Sequence, residues 1–257
     1  MKDQRFVPND TNVVGVSQVC TVITGPNCAG KSTYMRSVAV ITILAQMGSF
    51  VPATEAYIPV RDRICTRFGT SDAMEENAST FGVEMTETAF ILETCTSKSL
   101  VLIDELGRGT TNEEGVSIAW SISEELIQRR AYTCFATHYH DLNNLVRLYP
   151  RCRCYHLSAT SGEHYLRFQY KMKDGPFPPA DMYGIKTAKI CGLPLEIIHE
   201  AEQTYRLLAD RKHGADANSA EAHERTTEER NTEQKKRLLH HLLALRYADL
   251  EYSDYQD

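Results

Sequence analysis

The chain has 257 residues, with 28 Lys and Arg against 34 Asp and Glu, and a net charge of -6. That balance excludes a basic nucleic-acid module acting through its own average field, so DNA binding would need a local patch or further domains. No apolar run approaches the roughly 18 residues of a membrane-spanning helix, and the first five residues lack the apolar stretch of a secretory signal. Eight cysteines without a C-x-x-C pair read as reduced thiols of a cytosolic or nuclear protein.

In chain order, the β-branched run 19–24 predicts a strand ending in a glycine-rich turn. Residues 32–47 then carry Met35, Val38, Ile41 and Ala45 at helical spacing. Leu100-Val101-Leu102-Ile103 is a continuous apolar run suited to a parallel strand buried on both faces. A helix over 114–130 and a third strand over 132–137 follow, so the architecture is α/β. Segments 152–157 and 165–172, joined by Ala159-Thr160-Ser161-Gly162, read as a hairpin, and Pro176, Pro178 and Pro179 mark a loop. Helices over 182–191 and 195–208 are separated by Gly192 and Pro194, a stop and a start. Residues 210–237 hold too little apolar surface to order themselves and read as a linker. Leu238 to Leu250 place an apolar stripe on a short final helix or tail.

Gly25-Pro26-Asn27-Cys28-Ala29-Gly30-Lys31-Ser32 fits the P-loop pattern G-x-x-x-x-G-K-[ST] between a strand and a helix. Gly25 and Gly30 let the backbone curl so that successive amides face phosphate, and the helix start adds its positive dipole end. Lys31 supplies a cation for the β and γ phosphates, and the Ser32 hydroxyl is a ligand for Mg²⁺; Thr33 completes the nucleotide-facing turn. Asp104 and Glu105 close the second apolar strand as a Walker B pair, Asp104 toward Mg²⁺ and Glu105 as general base for water. His138, at the end of the third strand, is placed to reach the γ phosphate or its attacking water. ATP and Mg²⁺ are the implied cofactors. Cys152, Cys154 and His156 alternate onto one strand face, but zinc wants four ligands and no fourth is apparent.

Together with Phe6-Val7-Pro8-Asn9-Asp10, Gly48-Ser49-Phe50-Val51-Pro52-Ala53, Ser79-Thr80-Phe81, Glu84-Met85, Asp104-Glu105-Leu106-Gly107-Arg108-Gly109-Thr110 and Phe135-Ala136-Thr137-His138, these motifs resemble the ATPase domain of the MutS family, DNA-clamp proteins related to ABC-type ATPases. The resemblance covers roughly residues 5–205. It implies a P-loop NTPase domain over 1–181 and a helix-turn-helix dimerisation element over 182–209 that begins with Tyr183-Gly184-Ile185-Lys186. It further implies that Phe6 and Val7 lie against the adenine and that Asn27 helps to place the water and γ phosphate. Ser79 then belongs to a signature loop that reaches the partner subunit's nucleotide, and Gly107 to Thr111 form the loop by which two sites sense each other.

Within the family, Thr110-Thr111-Asn112-Glu113-Glu114-Gly115 is similar to the meiotic branch, MutS homologue 4. That similarity implies a heterodimer with a second MutS homologue, action on recombination intermediates and a nuclear location. The alternatives are a mismatch-repair MutS homologue, or a fragment that binds nucleotide and dimerises with little hydrolysis. A transporter ATPase is disfavoured because the Ser79 region lacks Ser-Gly-Gly-Gln. The sequence departs from the family at Cys28-Ala29, where Ala29 is expected to restrict the turn, and at Gly82. The family's clamp and lever precede its ATPase, so DNA contact is expected through domains absent from this chain.

Overall fold

The computed structural model describes residues 6–11, 18–69, 80–161, 166–177 and 182–208. Ser79 and the predicted linker and tail over 210–257 lie outside them. The chain divides into two compact units, Met1–Gly192 and Leu193–Asp257.

In the first unit β1 (Cys20–Thr24), β3 (Leu100–Asp104) and β4 (Tyr132–Ala136) are buried at every position. Together with β2 (Ile64–Arg67), β5 (Cys152–Ser161) and β6 (Leu166–Asp174) they form one sheet of order β2-β3-β4-β1-β5-β6. Every pairing is parallel except β5 with β6. Alternation along the strands sends side chains to two cores. Val22, Val101, Ile103 and Phe135 join one cluster, with Ile91 of α2 (Thr80–Thr94) and Ala119 and Leu126 of α3 (Asn112–Gln128). Ile23, Leu100, Leu102 and Cys134 join the other, with Met35 and Val38 of α1 (Lys31–Gln46). Covering both faces is what makes these strands read as unbroken apolar runs. Each fully buried Ile, Leu or Phe contributes about 1.5–3 kcal/mol.

The predicted α1, α3 and α/β class are present, with helix bounds differing by one or two residues. Two differences have physical causes. The predicted turn 159–161 is strand, because β5 continues its pairing with β6 past a register shift between Leu157 and Ala159. The sequence reading also passed over β2 and α2. After β4 the chain turns through a 3-10 segment His140–Asn144 and α4 (Leu145–Leu148), and α5 (Tyr183–Ile190) closes the first unit. In the second unit 195–208 is helical, here α6, and the Ile198 amide bonds the Pro194 carbonyl in its first turn. No helix among the described residues is long and apolar enough to cross a membrane.

At the carboxyl end of β1 the chain leaves the sheet through Gly25, whose φ is +141°. A Cβ built there would lie 2.6 Å from the Leu157 carbonyl oxygen of β5, so backbone would have to move. Gly25→Ala is therefore expected to lose about 2 kcal/mol or more of stability. Urea unfolding checks it: the midpoint should fall at unchanged m, and a loss below about 0.5 kcal/mol would contradict the contact.

Candidate nucleotide site

The parallel order brings the ends of β1, β3 and β4 to one edge of the sheet, where α/β proteins place ligands. The P-loop turns there with Cys28 at φ +63° and Gly30 at φ +101°, the latter capping α1. Ala29, expected to restrict the turn, is not in the left-handed region and is fully buried. The conformational cost instead falls on Cys28, whose Cβ occupies a region that glycine takes freely.

Lys31, 5% exposed, points back into this turn. Its ammonium donates to the Gly25 carbonyl at 2.9 Å and the Pro26 carbonyl at 3.2 Å, and lies 3.7 Å from Glu105 Oε1. Burial lowers its pKa, while the Glu105 and Asp104 carboxylates oppose that shift. Asp104 is buried and its carboxyl is raised by desolvation, with the Ser32 hydroxyl hydrogen bond pulling the other way. Asp104 Oδ1 is buried with no hydrogen-bond partner. An orphaned carboxylate oxygen beside a hydroxyl is a hard-oxygen donor set, and it fits Mg²⁺, which takes one or two protein ligands and keeps its waters. Ser32 and Asp104 are the residues that could hold it.

Glu105 turns out of the sheet at φ +51° while its amide still bonds the Ala136 carbonyl at 2.9 Å. A non-glycine residue held there costs on the order of 1–3 kcal/mol and persists only when its surroundings enforce it. The carboxylate lies between two cations, Lys31 and Arg108, whose guanidinium donates to Oε2 at 2.8 Å. His138 is exposed at the rim, where partial desolvation lowers its pKa against the pull of Glu105. That shift favours the uncharged ring, the form that can accept a proton.

A cleft of about 1480 Å³ opens over the loop, and Phe6, Val7, residues 27–33, Asp104 and Glu105 all line it. Gly25 and Pro26 lie beneath, serving through their carbonyls, and His138 stands outside the lining. The Asn27 carbonyl accepts a 3.4 Å bond from the Tyr183 hydroxyl of α5. The segment bearing Phe6 is fastened to β6 by Asn9, whose side-chain amide donates to the Tyr170 carbonyl and accepts from the Met172 amide, each at 2.7 Å. Lys171 adds a 2.7 Å bond to the Pro8 carbonyl.

The sequence reading missed Tyr170, Arg36 and Arg108, which also line the cleft. Tyr170, at φ +53°, sets its ring edge 3.4 Å from where a Gly30 Cβ would be. A tyrosine in an alternating strand carries no sign of that use, and Arg36 is one cationic side chain on an amphipathic helix.

Residues 21–209 match MutS domain V. The DNA mismatch repair protein MutS of Thermus aquaticus is 46% identical over 211 residues, 82% of this chain and 25% of that protein. Those of Solibacter usitatus and Protochlamydia amoebophila are 44% and 43% identical over 81% and 85% of this chain. The chain spans about a quarter of the length of these relatives. They are bacterial proteins, and bacteria have no nucleus, so the nuclear location expected from the sequence is corrected. They are also named for mismatch repair, and lend no support to the meiotic branch drawn from Asn112 to Gly115. A family match over most of the chain, together with a phosphate loop facing an acidic strand end, leaves one conclusion: the chain belongs to the MutS family.

Proposed function

We propose that this chain is the ATP-binding and ATP-hydrolysing domain of a mismatch-repair-type MutS clamp, and that its site drives conformational switching of a dimer on DNA. The observation that carries the reading is the convergence of Lys31, Ser32, Asp104 and Glu105 at one sheet edge. The P-loop amides and Lys31 bind the phosphates, and Phe6 and Val7 flank the base. Ser32 and Asp104 would hold Mg²⁺, which would offset the negative charge of the phosphates. Glu105 takes the proton of the attacking water, while Asn27 and His138 orient that water.

Ser79 of a second subunit completes the site, α5 and α6 contribute to the dimer contact, and DNA is held by the rest of the protein. The relatives' names support mismatch repair over meiotic recombination. The meiotic reading, with a second MutS homologue as partner, rests on the continuation Thr110-Thr111-Asn112-Glu113-Glu114-Gly115, with which Phe6-Val7-Pro8-Asn9-Asp10 and Leu148-Tyr149-Pro150 are compatible.

Turnover measured against chain concentration tests the composite site, since the rate per chain should rise with concentration. A rate per chain that is high and constant down to dilutions where only monomer exists would refute it. Asp104→Asn, which keeps shape but removes the charge, is expected to lower kcat about 100-fold and to raise the Mg²⁺ concentration giving half-maximal rate. An unchanged Mg²⁺ requirement would remove Asp104 from the metal.

A further inference from the structure

The peptide unit of Gly107, two residues past Glu105, is gripped on both sides. Its N–H donates to Glu84 Oε1 of α2 at 3.2 Å, and its carbonyl accepts from the Tyr139 hydroxyl at 2.9 Å. Both partners are buried, each 4% exposed. Gly107 takes φ +86°, and a Cβ on it would fall 2.8 Å from Gly115 Cα. On Gly115 a Cβ would fall 2.1 Å from the Tyr139 hydroxyl and 2.7 Å from the Gly107 carbonyl oxygen. Two glycines thus make room for one hydroxyl to reach one carbonyl.

Further along the same turn, a Cβ on Gly109 would lie 3.0 Å from Phe81 Cβ, so α2 touches the turn twice. Arg67 of β2 balances Glu84 at 3.5 Å. The turn between these contacts carries Glu105 at its strained φ and Arg108 against the Glu105 carboxylate. A strained residue keeps its conformation only when its surroundings over-determine it, and Glu84 and Tyr139 fix the backbone two residues further on.

We propose that Glu84 and Tyr139 are positioning residues that clasp the Gly107 peptide and so aim the Glu105 carboxylate, which makes α2 the lever that tunes hydrolysis. The clasp ties α2, at the start of which the chain emerges from Ser79, to the carboxylate that activates water. The inference rests on Glu105 acting as the base in the proposed function.

Tyr139→Phe keeps the ring and removes only the hydroxyl, and Glu84→Gln keeps an acceptor oxygen where Glu84→Ala does not. In the full 257-residue chain, Tyr139→Phe should raise amide hydrogen exchange over 105–111 by about 5-fold. It should lower kcat about 10-fold and leave the Kd for a non-hydrolysable ATP analogue within about 2-fold. Glu84→Ala should do the same; Glu84→Gln, which keeps the acceptor, should recover part of the loss, whereas Glu84→Met, which fills the space without an acceptor, should not. Unchanged exchange over 105–111, or a fall in kcat matched by an equal loss of nucleotide affinity, overturns the clasp while wild-type turnover still upholds the proposed function. A wild-type chain that binds the analogue but hydrolyses no ATP under any condition fails that function and the positioning claim with it.

Discussion

Lys31→Ala should weaken ATP binding by about 3 kcal/mol or more, roughly 100-fold or beyond in Kd, the loss expected when one member of a buried charged pair is removed. The ammonium is nearly enclosed and sits within reach of two loop carbonyls and the Glu105 carboxylate, so no other described cation occupies its place in the loop. Arg108 is exposed and engaged with Glu105, and Arg36 projects from the second turn of α1. Removing the cation also leaves the Asp104 and Glu105 carboxylates without the positive charge that interacts with both, which further repels a triphosphate. Because Lys31 ties down the Gly25 and Pro26 carbonyls, a modest drop in melting temperature should accompany the binding loss. Equilibrium titration with a fluorescent ATP analogue is the check, and a Kd within about 5-fold of wild type would dismiss the loop as the phosphate site.

Glu105→Gln should separate binding from turnover. The amide has the carboxylate's shape and the same backbone demands, so the strained φ of +51° is neither eased nor worsened. Its carbonyl oxygen can still accept from Arg108, and nucleotide affinity should stay within a few-fold. What is lost is the capacity to take a proton, worth about 100- to 10,000-fold in rate for a positioned general base. Single-turnover hydrolysis with saturating ATP is the direct measurement. Retention of more than about a tenth of wild-type turnover would pass the base role to another group, with His138 first in line.

How far the sequence could be read follows from where each side chain finds its partners. The P-loop and Walker strand are legible because local backbone chemistry dictates them: glycine where φ is positive, apolar runs where both sheet faces are covered, carboxylates at a strand end. α2 is not legible because its inward stripe is Glu84, Thr88 and Ile91, while Phe90 faces outward and is 62% exposed. Met85 and Leu92 pack toward the core while Phe90 points away, so the apolar residues spread around the helix and mark no clear face. β2 is a four-residue edge strand ending in arginine, too short and too polar to stand out. Tyr139, unlike its neighbour His138, carries no signal in the sequence, because Gly107 and Gly115 show nothing there of a hydroxyl they must admit. The reading of Ala29 failed for a related reason, since spacing does not say which residue of a loop takes the left-handed turn.

Side-chain hydrogen bonds attach residues 6–11 to β6. One asparagine side chain imitates a neighbouring strand, meeting a carbonyl and an amide of the sheet's outer edge, and one lysine adds a third bond. Three such bonds amount to about 2–5 kcal/mol, far less than the buried strands contribute. A further bond joins Thr11 to the Tyr34 hydroxyl of α1. On the proposed reading, loosening these few bonds would free the wall that flanks the base without touching the Lys31 contacts of the phosphate loop.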